Sequence, residues 1–348
     1  MALCCYAILN LMKHERGAVP IVIALLIAFG VLGVGGFAYQ KNVGGVAEKL
    51  QGIFAPEPPD ELLAKAFENF SKTTAFRFSG ESSGRVGDTG GPSGLKTPRA
   101  VASTSAEVTF DGAVDLGTSV FTGTFAFDVR GAKPFRLAVE ARKIASTTYL
   151  LISEAPKEFA YFSGQWVSID LESTAKKYGQ ERAAERVSAA DMKRVREFFA
   201  KAREYKVFKT VEEFPEEEVG GVVTRHIRFT FDKPALEKLI REFSAEPFDA
   251  DEEAALRHSL ARIDFSVNDV WVGKRDRMPY RFTVRYMEKW AAPDSPPTEP
   301  FSFDVFFSDF NRPVEVEVPP SAKTLEEVLQ AAMTKMFPGA TVNVKKKS

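Results

Sequence analysis

The chain has 348 residues, 45% of them hydrophobic and 30 of them phenylalanine, enough to bury the core of one large domain or two ordinary ones. Its 46 Lys plus Arg against 47 Asp plus Glu leave a formal charge of -1, which argues against a surface given over to nucleic acid. The only two cysteines, Cys4 and Cys5, are adjacent and precede the main body, which excludes a disulfide framework or a cysteine zinc site there.

After residues 1–17, Ala18 to Tyr39 reads AVPIVIALLIAFGVLGVGGFAY and carries no charge. As a helix it would be about 33 Å long, enough to cross a hydrocarbon core of about 30 Å, so the segment is expected to span a membrane. Lys13 and Arg16 precede it while Lys41 and Lys49 follow, which favours a cytoplasmic N-terminus and an extracytoplasmic remainder in the cell membrane. Small residues at its end (Gly33, Gly35, Gly36, Ala38) fit a cleaved secretory signal instead, but the length of the run favours a retained anchor. Residues 40–59, with Gly44, Gly45, Gly52 and APEPPD, read as a linker, residues 60–338 as the folded domain, and residues 339–348 as a basic tail.

Within the domain Asp60 can cap a helix whose Leu62, Leu63, Ala66, Phe67 and Phe70 recur at helical spacing. The period then changes to two. Strands are predicted over Ala75–Glu81, Ser105–Leu116, Thr122–Arg130, Phe135–Ile144, Thr147–Glu154 and Gln165–Glu172, with a Gly- and Ser-rich loop over Ser82–Thr104. Short turns at 131–133 and 145–146 imply an antiparallel meander. Ser188–Tyr205 is an amphipathic helix by its spacing, followed by strands over Lys206–Glu213 and Val222–Phe231. A helix opens at Asp232 and Pro234 and runs through Phe243, and a shorter one lies near Asp251–Arg262.

Asp264–Tyr286 then reads as a hairpin around the charged turn Gly273–Met278, with Tyr280, Phe282 and Val284 alternating with polar residues. Phe301, Phe303, Val305 and Phe307 mark a last strand, and Thr324 with Glu327 a capping box for a helix to about Met336. The sum is an α+β domain: a curled antiparallel sheet of about eleven strands, a half-barrel, covered by helices and placed behind one N-terminal transmembrane helix. The residues expected to line its interior as a ligand cavity are Phe76, Phe78, Phe110, Phe125, Phe127, Phe229, Phe231, Trp271, Phe282, Phe303, Val305 and Phe307.

Nothing in the pattern points to catalysis, a metal or a cofactor. His14, His226 and His258 have no metal-ligand spacing, and there is no P-loop or nucleophile elbow. The carboxylates of Glu216–Glu218 and of Asp249–Glu253 fit a solvated loop and an acidic first helical turn.

A helix before the first strand, VWVGKRDRMPYRFTVRY in the penultimate hairpin and FFSDFNRPVEVEVPPSAKTLEEVL at the end resemble the LolA-like superfamily, in particular its LppX/LprG-type lipid-carrier lipoproteins, over roughly Pro58–Met336. The resemblance implies a half-barrel closed by helices, and transport or shielding of a lipid or acylated molecule in the cell envelope. A transmembrane segment stands here where those lipoproteins carry a lipidated cysteine. The competing expectation is a non-catalytic structural or sensory envelope domain whose core is filled by its own side chains. No protein partner is indicated.

Overall fold

The computed structural model describes residues 57–86, 104–131, 134–170, 189–244, 248–288 and 301–336. The expected transmembrane segment, most of the linker and the basic tail lie outside these residues. Among the described residues no helix is long and apolar enough to cross a membrane.

The element order is α1 (Pro59–Ser71), β1 (Ala75–Val86), β2 (Thr104–Asp115), β3 (Val120–Arg130), β4 (Phe135–Ile144), β5 (Thr147–Glu154), a 3-10 turn (Lys157–Phe162) and β6 (Trp166–Asp170). It continues with α2 (Ala189–Glu204), β7 (Phe208–Val219), β8 (Val222–Phe231), α3 (Lys233–Phe243), α4 (Ala250–Arg262), β9 (Ile263–Gly273), β10 (Pro279–Glu288), β11 (Phe301–Ser308), β12 (Lys323–Thr324) and α5 (Leu325–Met336). All strands belong to one curled, unclosed sheet ordered β12-β6-β5-β4-β3-β2-β1-β11-β10-β9-β8-β7. The pairing is antiparallel except where the two-residue β12 runs parallel to β6.

Local chemistry explains most boundaries. Asp232 caps α3 by accepting a hydrogen bond from the Ala235 amide at 2.9 Å, and Pro234 sits in the first turn where its missing N–H costs nothing. The capping box at α5 is present: the Thr324 amide donates to Glu327 at 2.7 Å and the Glu327 amide to the Thr324 hydroxyl at 3.2 Å. Asp60 does not cap α1, which starts after Pro58. Its carboxylate instead accepts the Thr210 amide at 2.9 Å, tying the helix to β7. The expected loop from Ser82 is shorter than the spacing suggested, because β1 continues to Val86 against β2.

The seam between β1 and β11 joins the start of the domain to its end. Asn311, at φ 58°, accepts the Thr74 amide on its side chain at 2.8 Å and donates its own amide to the Ala75 carbonyl at 2.6 Å. Arg77 pairs with Asp309 at 3.3 Å across the same seam. Close strand approach is possible because Gly80 lacks a side chain, since a Cβ there would lie 2.2 Å from the Asp304 carbonyl oxygen.

The helices cover one part of the concave face. α1 packs on β7, β9, β10 and α2, α3 lies against α2 and α4, α4 reaches β9, and α5 packs on β6 and β12. Leu62, Leu63, Phe67 and Phe70 of α1 meet Phe76, Phe229, Phe282 and Phe307 of the sheet in the main core. Each of these large rings contributes roughly 1.5–3 kcal/mol on burial, so the core is centred under α1 and across β1 and β8–β11.

Candidate functional site

Strand register sorts the side chains into two faces. On the inner face, one row across the sheet is Val305, Gly80, Phe110, Phe125, Val139 and Ile152. Neighbouring rows bring Val108, Phe127 and Leu137 on one side, and Val114 and Phe121 on the other. Over β8–β11 and β1 this face is buried under helices. Over β2–β5 the same face, still lined by Phe110, Phe121, Phe125, Phe127, Leu137, Val139, Leu150 and Ile152, is only half-buried.

Ring contacts run without a break from the packed core onto this face. Phe70 lies 5.2 Å from Phe76, Phe76 6.3 Å from Phe78, Phe78 6.2 Å from Phe121 and Phe121 6.3 Å from Phe125, with the last two pairs stacked. Phe110 stacks on Phe303 at 5.6 Å. The rings can lie flat because glycine is the residue beneath them. A Cβ on Gly112 would come within 2.8 Å of the Phe78 ring, and one on Gly123 within 2.9 Å of Phe121. A shallow depression of about 210 Å³ lies instead on the outer face of β2–β5, among Thr109, Asp111, Thr124, Ala126, Ala138 and Glu140.

Of the twelve residues expected to line a cavity, Phe76, Phe78, Phe229, Phe231, Phe282, Phe303, Val305 and Phe307 are buried in the packed core. Phe110, Phe125 and Phe127 lie on the half-buried inner face. Trp271 requires a correction: it is on the opposite, outer face. Arg281 is its cross-strand partner while Phe282 pairs with Val270, so Trp271 and Phe282 differ by one step of a two-residue period. Phe121, Leu137, Val139, Leu150 and Ile152 share the inner face but were not expected to line it, because apolar neighbours such as Val120, Ala138, Tyr149 and Leu151 blur their alternation.

The outer face carries its own ordered feature. Phe214, His226, Trp271, Arg281 and Phe306 are successive cross-strand partners from β7 to β11. Phe214 stacks on His226 at 4.4 Å, His226 on Trp271 at 4.1 Å, and the Arg281 guanidinium lies 4.5 Å from Trp271 and 4.8 Å from Phe306. Carboxylates edge this ladder. Glu217 accepts from Trp271 Nε1 at 3.0 Å and contacts His226 Nδ1 at 2.9 Å, while Asp269 takes Arg228 in a two-pronged contact at 3.0 and 3.3 Å. Donation from Trp271, and then contact with His226, holds the Glu217 carboxyl below its ordinary range. The Asp304 carboxylate, bound by Arg281 Nε at 3.0 Å, raises the arginine further above neutrality.

Polar edges and an aromatic ladder thus occupy one face, and a half-exposed apolar wall the other. No protein-family model and no curated protein matches the chain. Among solved structures, the crystal structure of the Mycobacterium tuberculosis lipoprotein LppX is similar over 74% of this chain and 97% of that one, at 10% sequence identity and a TM-score of 0.34.

Proposed function

We propose that this protein is a membrane-anchored, extracytoplasmic binder or carrier of lipids or other amphiphiles, held by Ala18–Tyr39, and that the inner face of β2–β5 is where an acyl chain lies. One observation carries the proposal: an apolar wall continuous with the core stays half-exposed over four strands while the rest of the same face is packed shut. A chain of about sixteen carbons would gain on the order of 13 kcal/mol gross on leaving water, at ~0.8 kcal/mol per methylene. A bilayer offers the same gain, so a carrier must match it rather than exceed it, and an open aromatic and aliphatic wall suits reversible binding better than a tight chamber.

The test is photolabelling of the full-length chain with a diazirine fatty acid, followed by peptide mapping. Adducts are expected on β2–β5, and Phe125→Asp should reduce them at least about tenfold at little cost in stability, because Phe125 is only half-buried. Labelling that is absent from these strands, or indifferent to Phe125→Asp, would overturn the proposal. A second reading, a structural or sensory envelope domain with a self-filled core, draws its support from the interior beneath α1, where Phe70, Phe76, Phe229 and Phe282 leave their rings almost no exposure. It predicts no labelling anywhere in the domain.

A further inference from the structure

We propose that the β3–β4 end of the inner face docks onto the surface of a bilayer, so that an acyl chain enters and leaves the wall there; this rests on the wall being an acyl-chain surface. Phe135, the first residue of β4, pairs with Val129 and belongs to the inner face. It is 41% exposed, one of the few large apolar side chains in the described residues that stand so far into solvent. Through Phe127 and Leu137 it is continuous with the wall, so a ring inserted in a headgroup layer would connect hydrocarbon to wall without an intervening polar step.

The flanking chemistry fits a lipid interface. Arg130 and Arg136 lie on either side of this tip with side chains mostly in solvent, and long cationic stems beside an inserted ring can rise to headgroups. Arg130 is paired with Glu107 at 3.0 Å and Asp128 at 3.4 Å, and Arg136 with Glu154 at 3.0 Å. With Arg130 and Arg136 both matched, insertion of the Phe135 ring is the attraction, and a zwitterionic bilayer serves as partner.

The position of the tip agrees. The domain begins at the opposite end of the strands, where Glu57 meets Arg277 at 3.3 Å and its carbonyl accepts from Arg225 at 2.8 Å. That end is plugged by rings, with Tyr280 5.3 Å and Phe70 6.3 Å from Phe310. A chain held at Glu57 therefore presents Phe135 at the far end of the wall.

The experiment uses full-length protein reconstituted into phosphatidylcholine donor vesicles and acceptor vesicles of brominated phosphatidylcholine. Phe135→Trp should show quenching by acceptors beyond that of the wild type, and Phe135→Ser should slow transfer of a pyrene fatty acid about tenfold, the factor expected from losing roughly half of a buried phenylalanine's transfer free energy. Photolabelling at Phe110, Phe125 and Val139, farther along the wall from the tip, should persist in Phe135→Ser. No added quenching, or a transfer rate unaffected by Phe135→Ser, with the wall still labelled, overturns the docking site alone. Loss of wall labelling in the wild type overturns the acyl-chain surface on which it rests.

Discussion

Trp271 and Phe282 sit on neighbouring strands of one hairpin, yet they lie on opposite faces of the sheet. Phe282 is 1% exposed and touches Phe67 and Phe229 in the core, whereas Trp271 is 6% exposed on the far side, sealed by His226, Arg281 and Glu217. Both Phe282→Ala and Trp271→Ala should lower unfolding free energy by about 3–5 kcal/mol in urea titrations. Neither should act through the wall directly, so Trp271→Ala is expected to retain fatty-acid labelling of β2–β5 under conditions where the variant is folded. Glu217 adds a pH effect of known sign. Because its carboxyl is held low in the folded state, its contribution is present above the ordinary glutamate range, about 4.3, and is lost as pH falls through the lowered value. Its side chain is half in solvent, so the effect is small. Glu217→Gln should narrow the difference in melting temperature between neutral pH and about pH 3.

At the scale of elements, short-range signals were accurate where they concerned groups within one turn. The Thr324–Glu327 box and the Asp232 cap each connect residues three apart, so the sequence contains the whole interaction. Thr324→Ala should cost about 1 kcal/mol, seen as faster amide exchange at the start of α5 rather than across the sheet. Asp60 failed as a cap because its partner, the Thr210 amide, comes from β7, a distance along the chain that no local pattern encodes. The hairpin Ile263–Glu288 formed around the charged turn as its alternation required, with Tyr280 pushed upward in pKa by burial and by its bond to Asp276 at 2.6 Å.

Over the whole molecule the sheet is one object with two environments. From β8 to β11 its inner face is covered and its outer face carries the ladder, so both sides resist opening. From β3 to β5 both faces stay half-buried. Hydrogen exchange should therefore be slowest in β8, β9, β10 and β11 and measurably faster in β3–β5, and saturation with a fatty acid should slow β3–β5 selectively. Equal protection along the entire sheet, unchanged by fatty acid, would count against an adaptable wall.

Periodicity placed most strands and helices, because a two-residue alternation and a 3.6-residue stripe are properties of adjacent residues. Glu216–Glu218, however, expected in a solvated loop, lie in β7, which resumes its pairing with β8 after a register shift. Periodicity also determined that the Phe-rich strands present one dry face, and the α+β half-barrel followed from that, although the two-residue β12 was too short to carry a period. Only the tertiary structure decided that β11 pairs with β1, since that pairing joins residues more than two hundred positions apart. The helices over β1 and β8–β11 divide the phenylalanines into a sealed core and an open wall, and register puts Trp271 on the other side of the sheet. Burial depends on what crosses over a strand, and the strand's own sequence does not contain it.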